Sequence, residues 1–393
     1  MFAYGIFEVI YAPQKAFKEI TQNPKYIGPL LIMILFVAAN AGFGYILASK
    51  TYYEQTLPSG AASQYDEWTQ NKSWWPSNAT NANVSESSDA LTGVEFYGNE
   101  SIEFDVINGK EIWMQTNFNQ SVNCSGVDGY NNVSFRIKMI YPNTTTLVNA
   151  SMYLFSSQTD FFRYNLTGYS LLSNSTLWYN LTIPIGPTSG WTNSSNSADW
   201  SSIISLKYDF LWSANANLTI RLDGLFFRGI FKSAIEEVGT SNYLINYSLM
   251  AFMQFVITWV LLGGIMYIMS RGLGGKTVWK LMLVAAGYAL IVLFVQMAIN
   301  VILAANLPNL YYPLEFRGGV NGEGQSAFDA LAASTALASQ ISSLVNIAAI
   351  FWIVSLCAIV IRELTGFSWS KGFLVAVVAY FVSTIVANVI LSL

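Results

Sequence analysis

Two hydrophobic rhythms divide this chain of 393 residues. Five stretches, 28–48, 247–269, 280–304, 343–361 and 372–393, are apolar almost without interruption. Each is about 20 residues long, the length an α-helix needs to cross a bilayer. Between the first two the rhythm changes to alternation at every second residue, the mark of a half-buried strand. The inward sets read Ile102, Phe104, Val106; Val133, Phe135, Ile137, Met139; Val148, Ala150, Met152, Leu154; and Phe162, Tyr164, Leu166. Further on they read Leu177, Tyr179, Leu181, Ile183, Ile185, and Leu218, Ile220, Leu222. Many short alternating runs without a helical period predict a β-sandwich. The fold class is therefore mixed: a helical polytopic membrane domain with an all-β jelly-roll sandwich inserted between its first two helices.

The predicted boundaries are a cytoplasmic amphipathic segment over 1–27, a first span over 28–48, the sandwich over 51–229, an amphipathic linker helix over 230–246, and four further spans within 247–393. The first segment reads as an in-plane helix interrupted at Pro13, and no cleavable signal peptide is apparent. The linker rests on Ile230, Phe231, Ala234, Ile235 and Val238, which recur at helical spacing.

Charge then sets the orientation. Lys15, Lys18 and Lys25 precede the first span, Arg271, Lys276 and Lys280 fill the loop after the second, and Arg362 and Lys371 lie in the last loop. The loop at 305–342 has only Arg317 against Glu315, Glu323 and Asp329. The positive-inside rule puts the N-terminus in the cytoplasm and the sandwich and C-terminus outside. Glycosylation signals agree. Residues 51–250 hold 22 Asn, 15 of which begin Asn-x-Ser/Thr, where chance gives about 5. The predicted acceptors are Asn71, Asn78, Asn83, Asn99, Asn119, Asn123, Asn132, Asn143, Asn149, Asn165, Asn174, Asn180, Asn193 and Asn217, with Asn246 too close to the second span. Asn132, Asn149, Asn165, Asn180 and Asn217 fall on the polar side of their strands.

Composition narrows the chemistry. Charged residues are 11% and hydrophobic ones 53%, the net charge is −4, and His is absent. Nucleic acid is excluded as a partner, as are His-based triads and His-ligated zinc. Cys124 and Cys357, one in the insertion and one in a span, cannot pair. The acids Glu95, Glu103, Asp105, Glu111, Asp128, Asp160, Asp199, Asp209 and Asp223 read as solvated surface rather than a glycosidase pair. GLGGKT at 272–277 lacks P-loop spacing. Its glycines suit a tight turn, and Arg271, Lys276 and Lys280 suit anionic head groups. Gln254, Gln296, Asn300 and Asn346 are polar residues within spans, as expected of interhelical hydrogen bonds.

Two resemblances extend this reading. YAPQKAFKEITQNPKYIGPLLIMIL, with Pro13, Phe17, Pro24, Tyr26 and Pro29, resembles the opening of Yip1-domain membrane proteins, here of archaeal type. Leu273, Gly274, Gly275, Trp279, Lys280, Gly287 and Tyr288 are similar to that family's glycine loop and the Gly-Tyr of its third span. Five spans with a cytosolic N-terminus are implied. Eukaryotic relatives act in vesicle traffic with small GTPases, and the cytosolic N-terminal region they would use is only 27 residues here. Within the insertion, Trp178 before Leu181 to Ile185, then Asp199-Trp200-Ser201 and Ile220 to Gly224, resemble the C-terminal half of galactose-binding-like jelly rolls. That resemblance implies carbohydrate binding in a loop cleft or on an open face, and in some members a structural Ca²⁺. Trp74, Trp75, Trp178 and Trp200 are candidates either for stacking on sugar or for filling the core. Asp199 and Asp223 are the candidate Ca²⁺ ligands, although Asp-Gly also signals a turn.

The function expected is non-enzymatic: a multi-pass cell-surface scaffold touching lipids and other membrane or envelope proteins through its sandwich. A carbohydrate receptor is the alternative, and a transporter or channel component the third reading. N-linked glycans are expected, and no cofactor beyond the candidate Ca²⁺.

Overall fold

A computed structural model describes residues 2–58, 66–90, 98–142, 145–169, 177–318 and 322–392. In chain order it contains helices α1 (Phe2–Tyr11), α2 (Pro13–Gln22) and α3 (Ile27–Lys50), strand β1 (Thr51–Leu57) and the short helix α4 (Glu67–Gln70). Strands β2 (Asn83–Ser87), β3 (Ser101–Val122), β4 (Asn132–Tyr141), β5 (Leu147–Phe155), β6 (Phe161–Asn165), β7 (Tyr179–Pro184), β8 (Thr192–Asn193) and β9 (Ile203–Ser233) follow. The chain then returns to helix: α5 (Ala234–Val238), α6 (Thr240–Gly272), α7 (Trp279–Ala289) and α8 (Ile291–Ala305). After β10 (Leu310–Tyr312) come α9 (Glu315–Gly318), α10 (Glu323–Thr365) and α11 (Trp369–Ser392). Two compact units result. One is Met1–Tyr52, Ser233–Leu310 and Leu331–Leu393; the other is Tyr53–Lys232 and Tyr311–Ala330.

The first unit is the membrane domain. Its five spans are α3, α6, α7 with α8, α10 and α11. The third span is broken at Leu290, whose ψ of −1° ends one helix and starts the next. Where spans cross, glycine allows close approach. A Cβ on Gly28 would fall on the Tyr288 ring, and one on Gly287 would lie 2.6 Å from both Pro29 and the Trp259 indole nitrogen. Trp259 in turn donates to the Leu283 carbonyl at 2.7 Å. Pro29, Gly287 and Tyr288, far apart in sequence, thus meet at one helix crossing. Gln296 bonds Asn346 at 3.3 Å and Ser342 bonds Asn300 at 3.0 Å, tying α8 to α10 as interhelical hydrogen bonding predicts.

The N-terminal segment departs from expectation. Pro13 does separate two helices, standing at the first position of α2 where its missing N–H costs nothing. Yet Ile6, Val9, Ala16 and Phe17 are buried in the helical core, so their apolar side meets protein rather than an open membrane surface. Glu8 is buried with them and accepts from Lys15 at 2.8 Å.

The second unit is the sandwich. Two long strands organise it. β9, 31 residues long, pairs antiparallel with β5 through Ser205–Trp212 and with β4 through Thr219–Arg228. β3 follows it on one side, with register shifts on either side of Gly109. Asn108 has φ +53° at that irregularity. A bulge there locally sharpens the twist of the paired strands. The outer ladders are β2 on β3, β7 on β4, and β6 with β8 beyond β5. The inward sets meet as expected: Val133, Phe135, Ile137, Ala150, Met152, Leu154, Ile183, Leu218, Ile220 and Leu222 are all buried.

Several expectations are corrected. Val148 is 56% exposed, because a register shift between Leu147 and Asn149 turns Leu147 toward the core in its place. Leu177 is 54% exposed and precedes β7. The linker begins later than predicted. β9 runs through Ser233, where a capping box with Glu236 starts α5 (Ser233 N–H to Glu236 Oε2, 2.7 Å; Glu236 N–H to Ser233 Oγ, 3.2 Å). Gly239 (φ +86°) then closes α5, and α6 follows at once. Residues 311–330, expected within the 247–393 membrane domain as part of the loop at 305–342, belong to the sandwich unit.

Candidate functional site

The tryptophans named from sequence part company. Trp75 is 1% exposed, donates its indole N–H to the Trp68 carbonyl at 2.9 Å and meets Phe104 edge-on. It is core, and a buried ring offers no face to a sugar. Trp74 is half-buried against Trp68, and Trp200 is stacked flat on Phe162 at 3.7 Å. Trp178 stands half-buried with the Lys138 ammonium 5.8 Å from its centroid. The four do not form one surface.

The alternation of β3, β9, β5 and β6 builds a different one. Side chains opposite the core share the outer face of this sheet, and the register aligns them in rows across it. One row runs Trp113, Asp209, Ser151, Asn165. The next runs Gln115, Lys207, Tyr153, Arg163, and a third runs Asn117, Ser205, Phe155, Phe161. Trp113, Tyr153, Phe155 and Phe161 are all half-buried. Tyr153 and Phe155 each lie 5.4 Å from the Phe161 ring. Trp113 stands about 10 Å from this cluster, two strand spacings away. Lys207 bridges the gap, its ammonium 4.9 Å from the Trp113 centroid and 5.7 Å from that of Tyr153. Sequence reasoning found which residues face outward but not which strands are neighbours, so this platform was not visible in it.

Acids border the platform at the Trp113 end. Burial, then the neighbouring Asp209 carboxyl, raises the Glu111 pKa, with Lys207 acting weakly the other way. At the opposite end Arg163 donates to Ser151 Oγ at 3.0 Å and Asn149 Oδ1 at 3.2 Å.

Two buried polar groups lie elsewhere in the unit. Arg228, 8% exposed, holds Glu54 through both carboxylate oxygens at 2.9 and 2.8 Å and Glu315 at 2.6 and 2.8 Å. The Leu314 N–H adds a bond to Glu54 at 2.7 Å. Asn180 donates to Glu323 at 3.1 Å. Together these fix 311–330 to the sandwich. The second group is Asp66, at the start of α4, which is fully buried beside Asp223. Asp66 accepts from Thr69 at 2.7 Å and from the Gly224 N–H at 3.2 Å. Burial and the Asp223 charge push its pKa up to about 9. Asp223 is therefore not the solvated acid expected. Asp199 is exposed, and its carboxylate accepts from Ser201 N–H and Oγ at 2.8 and 2.6 Å. No contact joins it to Asp223 among the described residues.

Of the predicted glycan acceptors, Asn71, Asn78, Asn83, Asn99, Asn119, Asn123, Asn165, Asn193 and Asn217 are exposed. Asn132, Asn149 and Asn180 are half-buried, and Asn143 and Asn174 lie outside the described residues, as does Glu95. Arg271, Lys276 and Lys280 are exposed around the Gly274 turn (φ +90°).

Comparison with known structures gives β-sandwich modules at low similarity. A family 11 carbohydrate-binding module from Clostridium thermocellum, in complex with a β-1,3-1,4-mixed-linked tetrasaccharide, is 13% identical over 44% of this chain and 94% of its own, with a TM-score of 0.26. A family 30 carbohydrate-binding module of a cellulosomal cellulase from the same organism is 13% identical over 39% and 90%, with a TM-score of 0.27. Scores this low leave the sandwich assignment resting on the ladders described above. Comparison with curated proteins gives no match. The Yip1 domain family model, in contrast, matches residues 152–391, which take in four of the five spans and the glycine crossing built by Gly287 and Tyr288. This multi-pass membrane protein belongs to the Yip1 domain family.

Proposed function

We propose that the chain is a cell-surface protein whose five spans anchor the sandwich outside the membrane, where the open face of β3, β9, β5 and β6 holds carbohydrate. The observation that carries this reading is the Trp113–Lys207–Tyr153–Phe161 platform. Half-buried rings on an open sheet offer apolar faces to the C–H face of a sugar, and the flanking Gln115, Asp209 and Arg163 supply donors and acceptors for its hydroxyls.

Positive-inside charge and the exposed sequons support the orientation, with glycans on the exposed asparagines other than Asn165. Asn149 and Asn165 open onto the platform itself, so the reading requires them to be bare, and glycopeptide mapping decides it. Arg271, Lys276 and Lys280 then face cytoplasmic head groups. The structural Ca²⁺ expected from the resemblance does not fit Asp223, whose buried neighbour Asp66 keeps its proton at neutral pH. Among the described residues Asp199 makes no contact with this pair, and the acids fall short of a calcium shell in number.

The test is binding of the full-length protein in lipid nanodiscs to a glycan panel. Capture of oligosaccharide that is lost in Trp113→Ala supports the reading. An inert panel, or binding indifferent to Trp113, leaves the scaffold role, in which the clasped sandwich serves as a rigid contact for envelope proteins.

A further inference from the structure

The platform is charged in a way that selects its sugar. In the same unit Lys138 is answered by Asp89 at 2.7 Å, Arg221 by Glu103 at 2.6 Å and by Asp89, and Arg228 by Glu54 and Glu315. Lys207 and Arg163 are the exceptions on the open face. Lys207 rests between the Trp113 and Tyr153 rings, and Arg163 leans on Tyr153 at 5.9 Å, with Ser151 and Asn149 as its hydrogen-bond partners. Among the described residues neither lies within 4 Å of a carboxylate, although the Lys207 charge reaches Glu111 and lowers its pKa against the stronger effects of burial and Asp209. The register sets the two cations in one row, on either side of Tyr153.

Rings hold a cation in place but leave its N–H donors unsatisfied by any strong acceptor, which favours an incoming anion. A polymer of bare anions would meet Glu111 and Asp209 at the Trp113 end and be repelled there. A sugar acid meets both ends correctly. Its carboxylate takes the Lys207–Arg163 row, its ring packs on Tyr153 or Trp113, and its hydroxyls donate to Asp209 and Glu111. We infer that the ligand class of this face is a glycan bearing uronic acid, an inference that rests on the carbohydrate-binding reading above.

The experiment uses the full chain in nanodiscs of zwitterionic lipid, titrated with oligogalacturonate, its methyl ester, oligoalginate and neutral cello-oligosaccharide. At least one of the two acids is expected to bind about tenfold more tightly than any neutral probe. Lys207→Met, which keeps the apolar stem, and Arg163→Gln are each expected to erase that preference with the unfolding midpoint unchanged. Trp113→Ala is expected to weaken acid and neutral probes alike. Equal affinity for acid and ester, or a preference that survives Lys207→Met, overturns the acidic class and leaves the platform standing. Failure of every probe to bind overturns the carbohydrate reading itself, and this inference with it.

Discussion

The membrane unit and the sandwich keep their shape by opposite means. In the membrane unit the closest contacts are made by what is missing: Gly28, Gly44, Gly263 and Gly287 each leave room for a side chain of a neighbouring helix. Lipid offers no hydrophobic drive between helices, so fit has to supply the association. Lys15 pairs there with Glu8 and Glu19 near the N-terminus. The sandwich instead buries large rings, Trp75, Trp212, Phe104, Phe135 and Phe210 among them, and sets matched charges where its layers meet other chain segments. One unit is therefore intolerant of added atoms, and the other of unmatched charge.

The strongest way to test that contrast is Arg228→Ala. It leaves Glu54, itself 2% exposed, without its guanidinium, and should cost about 3–5 kcal/mol in sandwich unfolding followed by near-ultraviolet circular dichroism. A loss below 1 kcal/mol would show the clasp to be ornamental.

A pH effect comes next. Native Asp66 holds its proton up to about pH 9, while the unfolded carboxyl loses it near 3.8, so the folded state carries the extra proton between these values. The stability this group contributes is full below the lower value and falls as pH rises toward the upper one. Asp66→Asn should flatten the decline in unfolding midpoint between pH 5 and 9. Glu315 runs the other way: burial pushes its pKa up, but the Arg228 bonds outweigh that and hold it low, so its contribution is lost only in acid.

In the membrane unit, Gly287→Ala forces a Cβ against Pro29 and Trp259 and should cost about 1–3 kcal/mol, read as a lowered melting midpoint in detergent. Gly42→Ala, with open space around it, is the control and should be silent. The smallest effect is expected of Asn180→Ala, about 1 kcal/mol through the lost Glu323 bond. A purely solvent-facing Asn180 would cost nothing.

The sequence exposed most of the fold because its two signals are local. Apolar length revealed the spans, and alternation revealed Val133 to Met139 and Leu218 to Leu222 as inward faces. Failures came where a local rule was interrupted or a distant one applied. At Val148 a single register shift reversed the side. At 230–246 the apolar spacing suggested helix, although Ser233-x-x-Glu236 already marked where one starts. Trp113, Lys207 and Tyr153 are separated by 40 residues or more, and nothing local says that β9 lies between β3 and β5. The Arg228 clasp was hidden for the same reason.

That clasp also bears on how the protein is made. Glu315 leaves the ribosome 87 residues after Arg228, with two complete spans, α6 and α7 with α8, between them. Until Leu314 and Glu315 have been made, the cluster around Arg228 and Glu54 stays open. The last stitch in the β-domain is therefore made late: a chain that stops short of Leu314 and Glu315 displays an unfinished sandwich with Glu54 and Arg228 unclosed.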